Sequence, residues 1–367
     1  TTVFEYGAIV SPPKDWERWY DLIRDLTAHL IERYGDEVVE QWSFEVWNEA
    51  NLEVFWSGTP EEWMTMYDVT AAAVRSVDER LVVGGPSSAA AGWVEELLAH
   101  VEQSGAALDF VSTHTYGSPP LDFRGSLERY GRSGTPIWWT EWGVTPTHFN
   151  EVSDAVFSGV FLLKGMASAM GRIEALSYWV VSDHFEELGR PPALLHGGFG
   201  LRTVGELRKP RWWALKLLES LGTTRVPVAL DGDGGGSLVE ALATRDRTGE
   251  VAVLVWNMTL DQTKATGEEA LSREVTLRLD GLAPGTAYTL HHQRVDATHS
   301  NVATVWGELR SDGQAWPTEE QWARLREADR LEDLEPEREV VTDADGTVAV
   351  TFDLPMPSMS RLGLRAL

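Results

Sequence analysis

The chain has 367 residues, of which 43% are hydrophobic, and this predicts a large buried core in one big domain with an appendage. Lys and Arg number 31 against 57 Asp and Glu, so the net charge is −26, and the acidic surface argues against nucleic acid or anionic lipid as a partner. No apolar stretch approaches the roughly 18 to 20 residues of a membrane helix, and the absence of cysteine excludes disulfides and thiolate metal sites.

In the first part of the chain, helix patterns alternate with buried strand patterns. Apolar residues at three- and four-residue spacings predict helices at Trp16 to Gly35, Pro60 to Val77, Trp93 to Val101, within Phe123 to Arg132, at about Asp154 to Met170 and at Arg211 to Leu221. Short apolar runs predict strands at Ser43 to Trp47, Leu81 to Pro86, Leu108 to Thr115, Ile137 to Glu141 and Ala175 to Val181. This alternation is typical of a parallel sheet with crossover helices.

Polar or aromatic residues gather at the carboxyl ends of four of these strands, which is where a (β/α)8 TIM barrel keeps its active site. A barrel needs eight strands and the sequence predicts five. We therefore predict an α/β barrel domain over residues 1–224 that contains strands four to eight and lacks the first three βα units. Bare sheet edges would be costly, so we expect that the natural protein is longer, or that a second copy of the chain or a separate N-terminal fragment covers the gap.

From about residue 225 the pattern changes to short alternating runs separated by Asp, Gly and Pro. These predict a C-terminal antiparallel β-sandwich over residues 225–367, with an excursion at about 298–335 that contains a helix at Glu319 to Ala328. Strands are predicted at Leu238 to Thr244, Glu250 to Met258, Arg273 to Leu279, Ala287 to Val295, Arg338 to Thr342, Thr347 to Phe352 and Ser360 to Arg365.

Two of the barrel strands end in a glutamate. Glu49 follows Trp47 and Asn48, and Glu141 follows the tryptophan-rich run that begins at Ile137. Breaking an acetal requires a proton for the leaving oxygen and a negative charge against the oxocarbenium ion, and two carboxylates in different environments provide both. A barrel brings its strand ends together, so the sequence predicts a two-carboxylate active site for glycoside hydrolysis.

The wider sequence resembles glycoside hydrolase family 39, especially its β-xylosidases, and the resemblance runs the length of the chain. It is carried by six segments: Val10-Ser11-Pro12-Pro13-Lys14-Asp15, Phe44 to Leu52, Val83-Gly84-Gly85-Pro86, Asp109 to His114, Tyr178 to Glu187, and His196-Gly197-Gly198-Phe199-Gly200-Leu201. The resemblance implies a retaining exo-β-glycosidase, expected to be a β-xylosidase that acts on oligosaccharides without metal or cofactor. It also implies that the barrel's first three strands precede the Pro-Pro-Lys-Asp stretch.

By this resemblance Glu49 would be the general acid/base and Glu141 the nucleophile. Asn48 would hold the sugar 2-hydroxyl, although a strand-terminal amide that satisfies backbone groups is the plainer interpretation. His114 and Tyr116 would orient the nucleophile or a sugar hydroxyl, and a hydrogen-bonded core histidine is the alternative.

Further substrate contacts are expected from the last strand and the segments after it. Trp179 is a candidate platform for the apolar face of a sugar, but any one of the chain's 17 tryptophans can equally be a core residue. One of Glu186 and Glu187 would bind distal hydroxyls, unless the two form a solvated loop. Phe199 belongs to the same predicted substrate-binding set.

The chain departs from the family pattern at two positions. Ala50 follows the acid/base where the family often has Pro, and Trp142 follows the nucleophile where Tyr is common. Both departures alter the pocket walls, so an enzyme acting on arabinose-containing or other glycosides stays an alternative. The strand-end motifs hold no basic residue for a uronate, which argues against an iduronidase.

A non-catalytic carbohydrate-binding homologue is the rival from another functional class, and it would not need both carboxylates. His291 and His292 are adjacent in a predicted strand and point to opposite faces, so they are given no metal role. No targeting segment is visible in Thr1 to Gly7, and the acidic, cysteine-free composition favours the cytoplasm over export. A homo-oligomer is a further expectation.

Overall fold

A parallel sheet of five strands carries the predicted carboxylates. The computed structural model describes residues 2–3, 7–185, 187–189 and 191–367, and it divides into two units. The first unit comprises Thr1–Gly143 and Ala169–Tyr178, and the second comprises Val144–Ser168 and Trp179–Leu367. The predicted domain boundary at residue 224 stays a prediction.

In the first unit the strand order follows the chain. Strands β3 (Ser43–Glu45), β4 (Val82–Ala89), β5 (Phe110–Tyr116), β6 (Ile137–Gly143) and β7 (Ala175–Tyr178) pair in that order, all parallel. Before and between them lie α1 (Trp16–Tyr34), α2 (Asp36–Val39), α3 (Pro60–Val77), α4 (Val94–Ser104) and α5 (Arg124–Arg129), and a small antiparallel pair is formed by β1 (Thr2–Val3) and β2 (Ala8–Ile9). The predicted parallel sheet is therefore present.

Local sequence signals explain where these helices begin. The Asp15 carboxylate accepts hydrogen bonds from the backbone N–H groups of Glu17 and Arg18 and so caps α1. In α3, Thr59 and Glu62 form a reciprocal capping box and Pro60 occupies the first turn. These signals fix the register of the helices that alternate with the strands.

The second unit contains α6 (Val156–Ala169), α7 (Pro210–Glu219) and two antiparallel sheets. The larger sheet has the order β13-β12-β16-β10-β9-β8, with β14 also paired to β12, and the smaller sheet pairs β11 with β15. Their bounds are β8 (Thr224–Val226), β9 (Val239–Arg245), β10 (Val251–Asn257), β11 (Arg273–Leu279), β12 (Ala287–Val295), β13 (Glu332–Asp333), β14 (Arg338–Val341), β15 (Val348–Leu354) and β16 (Ser358–Ala366).

The two antiparallel sheets share one hydrophobic core. Inward-facing residues alternate with exposed ones along β11, β12 and β15, as the period of a strand requires. The buried cluster includes Val255, Leu290, Val350, Leu362 and Leu364. The predicted antiparallel region is therefore present, and the alternation buries His292 while it leaves His291 partly exposed.

The excursion from the antiparallel sheets contains two helices rather than the single predicted one. Helix α9 (Glu319–Ala328) has its predicted bounds, and α8 (Val302–Leu309) was not predicted. Val302, Trp306 and Leu325 are buried together in a separate core. Among the described residues, no helix is both long enough and apolar enough to cross a membrane.

Candidate active site

The loop after β3 holds Glu49 against the next strand. The Glu49 N–H donates to the Ser87 carbonyl at 2.7 Å, and the Asn51 side chain both donates to and accepts from the backbone of Ala89, at 2.9 Å each. Trp47 and Glu49 have φ angles of 68° and 43°, in the left-handed region that non-glycine residues rarely occupy. The predicted strand end at Trp47 was therefore too late, because the chain leaves the sheet after Glu45.

Glu141 lies within β6, opposite His114 of β5. The register between β5 and β6 shifts at this point, so that Thr113 pairs with Trp139 and His114 pairs with Glu141. A bulge adds one residue to one strand and re-aims its side chains. Here it allows both Thr140 and Glu141 to reach His114.

The two glutamates meet at Nδ1 of His114. Nδ1 of His114 lies 2.8 Å from Oε1 of Glu49 and 3.6 Å from Oε2 of Glu141. A carboxylate oxygen of Glu49 and one of Glu141 lie within 4.8 Å of each other. Glu49 is 9% exposed and the Glu141 side chain is 14% exposed, so both carboxylates are largely withdrawn from water. The structure thus brings together the two residues that the sequence predicted as the catalytic pair.

Tyr116 holds the second carboxylate. Its hydroxyl donates a hydrogen bond of 2.8 Å to Oε2 of Glu141. Burial raises the pKa of Tyr116 above its ordinary value, and the negative charge of Glu141 raises it further. The phenol therefore keeps its proton and remains a hydrogen-bond donor to Glu141.

A polar chain that the sequence analysis missed lies on the other side of His114. Nε2 of His114 is 3.1 Å from the Thr140 hydroxyl and 3.2 Å from the Ser87 hydroxyl. The Thr140 hydroxyl donates to Oε1 of Glu45 at 2.8 Å. The available signal was Glu45 itself, since a charged side chain inside the apolar run from Trp42 to Trp47 needs a partner.

The remaining predicted substrate residues are distributed over both units. Asn48 is half-buried beside Glu49, and its side chain makes no hydrogen bond to a described residue. In the second unit, Phe185 contacts both Trp179 and Phe199, with ring centroids 5.3 and 6.0 Å apart. Glu186 lies outside the described residues.

In the second unit, Glu187 has a partner that was not predicted. Nε2 of His148 lies 2.9 Å from Oε2 of Glu187. The His148 ring also packs edge-on against Phe199, with centroids 4.7 Å apart. The second unit therefore brings Glu187 and Phe199 to the same histidine.

A buried charge network holds the glycine-rich segment that contains Phe199. Nζ of Lys209 is fully buried and lies 2.5 Å from Asp154 and 2.7 Å from Asp183. The two carboxylates accept the backbone N–H groups of Gly197 and Gly200, at 2.6 and 2.8 Å. A Cβ atom at Gly200 would lie 2.3 Å from the Asp183 nitrogen, so only glycine fits there.

Glu49, His114 and Glu141 form a group whose ligand atoms are close enough to surround a metal ion. However, the 2.8 Å contact between Nδ1 of His114 and Oε1 of Glu49 is a direct hydrogen bond, which a cation between these atoms would break. Ligand bonds to zinc are about 2.0 to 2.2 Å long, with each lone pair aimed at the ion. The arrangement therefore fits two hydrogen-bonded carboxylates better than a metal centre.

Comparison with known proteins gives consistent matches. Residues 1–129 and 124–349 match the model for Glycosyl hydrolases family 39. Two curated relatives, each named Beta-xylosidase, come from Caldicellulosiruptor saccharolyticus and Geobacillus stearothermophilus and are 30% and 32% identical. The matches cover 96% and 84% of this chain, and 73% and 64% of those relatives.

A solved structure matches over the whole chain. The monomeric β-xylosidase from Caulobacter crescentus CB15 is 32% identical and superposes with a TM-score of 0.84. The match covers 100% of this chain and 78% of that one.

Proposed function

The chain belongs to glycoside hydrolase family 39, and from this membership we propose that it is a retaining exo-β-glycosidase, specifically a β-xylosidase that releases xylose from the non-reducing ends of xylo-oligosaccharides. We also propose that its five parallel strands are strands four to eight of a (β/α)8 barrel. The relatives named Beta-xylosidase support the substrate, and the parallel sheet supports the architecture.

The separation of the two carboxylates supports a retaining mechanism. Retaining glycosidases keep their two carboxyl groups about 5 to 5.5 Å apart, whereas inverting enzymes leave about 6.5 to 9.5 Å for a water molecule. Oxygens of Glu49 and Glu141 lie within 4.8 Å of each other. This spacing favours the retaining mechanism, in which one glutamate acts as the nucleophile.

In the first step, the Glu141 carboxylate attacks the anomeric carbon while Glu49 gives its proton to the departing oxygen. The glycosidic C–O bond breaks, and a covalent glycosyl ester forms on Glu141. Tyr116 keeps the attacking carboxylate in place through its 2.8 Å hydrogen bond. In the second step, Glu49 takes a proton from a water molecule, whose oxygen attacks the anomeric carbon. The ester bond to Glu141 breaks, and the sugar leaves with its original configuration.

The substrate contacts follow from the family resemblance. Asn48 binds the 2-hydroxyl group, and Glu187 binds the distal hydroxyls, with Glu186 as the alternative for that role. Trp179 and Phe199 provide apolar walls for the sugar ring.

A panel of nitrophenyl glycosides, assayed with the full-length protein, tests the substrate. We expect the β-xyloside to be cleaved fastest, and proton NMR of the first product should show the β anomer. Release of the α anomer would contradict the retaining mechanism. If no glycoside in the panel were cleaved, a non-catalytic carbohydrate-binding role would replace the enzyme.

The nucleophile is tested separately. Glu141→Ala should abolish turnover, and added azide should restore it and give a glycosyl azide of inverted configuration. Undiminished activity of the variant, or the absence of any rescue, would argue against Glu141 as the nucleophile.

A second candidate substrate follows from Ala50 and Trp142, which depart from the family pattern next to the two carboxylates. These residues favour a changed pocket wall, so an arabinose-containing glycoside is the alternative to a xyloside. An α-L-arabinofuranoside or α-L-arabinopyranoside cleaved faster than the xyloside in the same panel would favour this alternative substrate.

The predicted homo-oligomer is tested by analytical ultracentrifugation of the full-length protein.

A further inference from the structure

The hydrogen-bond chain from Glu45 through Thr140 to His114 bears on whether Nε2 of His114 carries a hydrogen. An ionised carboxylate accepts hydrogen bonds and donates none, so the single hydroxyl hydrogen of Thr140 goes to Glu45. The Thr140 oxygen, 3.1 Å from Nε2, is then left to accept from His114. Thr140 thus offers Nε2 an acceptor, and a hydrogen on Nε2 is satisfied there.

The other ring nitrogen faces the two catalytic carboxylates. In the reaction proposed above, Glu141 is ionised in the free enzyme and Glu49 is ionised in the glycosyl-enzyme intermediate. Nδ1 lies 3.6 Å from Glu141 and 2.8 Å from Glu49, so it faces one negative carboxylate in each state. A donor hydrogen on Nδ1 suits both states, and a ring with hydrogens on both nitrogens is an imidazolium.

On this basis we propose that Glu45 is a positioning residue which, through Thr140, keeps His114 as an imidazolium that neutralises Glu141 in the free enzyme and Glu49 in the intermediate. The inference rests on the proposed function and assigns a role to two side chains, Glu45 and Thr140, outside the catalytic pair. Their contact with the reaction is indirect, since both act through His114.

The charge count of the reaction explains why a fixed positive charge is useful here. When Glu141 forms its ester bond and Glu49 releases its proton to the leaving oxygen, one negative charge passes from Glu141 to Glu49. His114 lies between these two carboxylates and keeps both of its hydrogens throughout. The field that stabilises the charge is therefore already in place before each step, which avoids reorganisation during the reaction.

The ionisable groups around His114 come from every strand near it that carries one. Glu45 and Glu49 belong to β3 and the loop after it, and β4 contributes the neutral hydroxyl of Ser87. Tyr116 lies on β5 and Glu141 on β6, and the raised pKa of Tyr116 keeps its phenol neutral. Two carboxylates thus lie next to Nδ1 of one buried histidine, and a third, that of Glu45, reaches Nε2 through Thr140.

Glu45→Gln tests the proposal, because an amide has nearly the same shape but can donate to Thr140 and reverse the chain. We expect kcat/KM for a xyloside to fall about 10- to 100-fold and the alkaline limb of its pH profile to move to lower pH. Thr140→Val should reproduce both effects, and Thr140→Ser, which keeps the hydroxyl, should restore both.

Asp68→Asn is the matched control. Asp68 of α3 also bonds a histidine, His100 of α4, at 2.9 Å, and the pair joins two helices rather than strands of the sheet. This variant should keep the wild-type profile. An unchanged profile in Glu45→Gln, or a loss that is equal at every pH, would overturn the proposal, since the second result indicates a structural role.

Nitrogen-15 NMR of the histidines provides a measurement that does not depend on turnover. The His114 signals, assigned by comparison with His114→Gln, should be those of an imidazolium at neutral pH in the wild-type protein and should become those of a neutral ring in Glu45→Gln. A neutral His114 in the wild-type protein would overturn the proposal, even if Glu45→Gln fails to fold. Inactivity of the wild-type protein on all glycosides would instead contradict the proposed function.

Discussion

Replacement of Lys209 by Met should destabilise the second unit strongly, because it leaves two buried carboxylates without their cation. Nζ of Lys209 lies 2.5 and 2.7 Å from Asp154 and Asp183 and donates to the Gly198 carbonyl at 3.0 Å. At an effective dielectric constant of 20, one such ion pair is worth roughly 6 kcal/mol before desolvation is subtracted. Removal of one partner of a buried pair costs about 3 to 5 kcal/mol overall.

For a unit of this size, that loss corresponds to a fall of about 6 to 20 °C in melting temperature. Differential scanning calorimetry measures it, with Lys216→Met as the control. Lys216 lies in the last turn of α7, the helix that begins directly after Lys209, but its ion pair with Glu219 is exposed to solvent. Its replacement should leave the melting temperature unchanged. If both variants had the melting temperature of the wild type, the Lys209 network would contribute nothing to stability.

Three further outcomes are expected. Glu49→Ala should retain activity on aryl glycosides whose leaving group needs no proton and lose it on xylo-oligosaccharides, and equal losses on both substrates would contradict its role as the acid. Burial, together with the nearby Arg294 charge, lowers the pKa of His292 to about 4. His292 takes up a proton at about pH 6.5 in the unfolded chain but only near pH 4 in the folded chain, so the free energy of unfolding should fall by about 3 kcal/mol as the pH is lowered from 6.5 to 4. Denaturant titrations should show that His292→Gln flattens this pH dependence. Dialysis against EDTA should leave glycosidase activity unchanged because His114 and Glu49 bond directly, and recovery of lost activity by added metal would refute this.

Much of the architecture could be predicted from periodicity. Helices α3 and α9 and strands β11 and β12 have their predicted bounds, because clear amphipathic patterns and caps or turns mark their ends. Helix α8 was missed because its eight residues lie in a polar segment, and its apolar side is recognisable only when Trp306 packs into the separate core. Short elements of this kind depend on tertiary contacts.

The meeting of Glu49 and Glu141 could also be predicted, since each follows an apolar run in the sequence and a barrel brings such strand ends together. The residues that support the pair could not. Asn51 and Ser87 are ordinary loop and turn residues in the sequence. Their roles arise from hydrogen bonds between the Asn51 side chain and the Ala89 backbone and between the Glu49 N–H and the Ser87 carbonyl. Thr140 reaches His114 because of a shift in strand register, which no local pattern reveals.

The strained loop from Val46 to Asn51 has a practical consequence for substitutions in the neighbouring strand β4. Left-handed backbone at Trp47 and Glu49 costs of order 1 to 3 kcal/mol per residue, and a small number of hydrogen bonds to β4 offset it. The strain persists because the surrounding contacts hold the loop, in which Val46, Glu49 and Ala50 are all buried. Substitutions in β4 that loosen these contacts should therefore reduce activity before they lower the melting temperature of the unit.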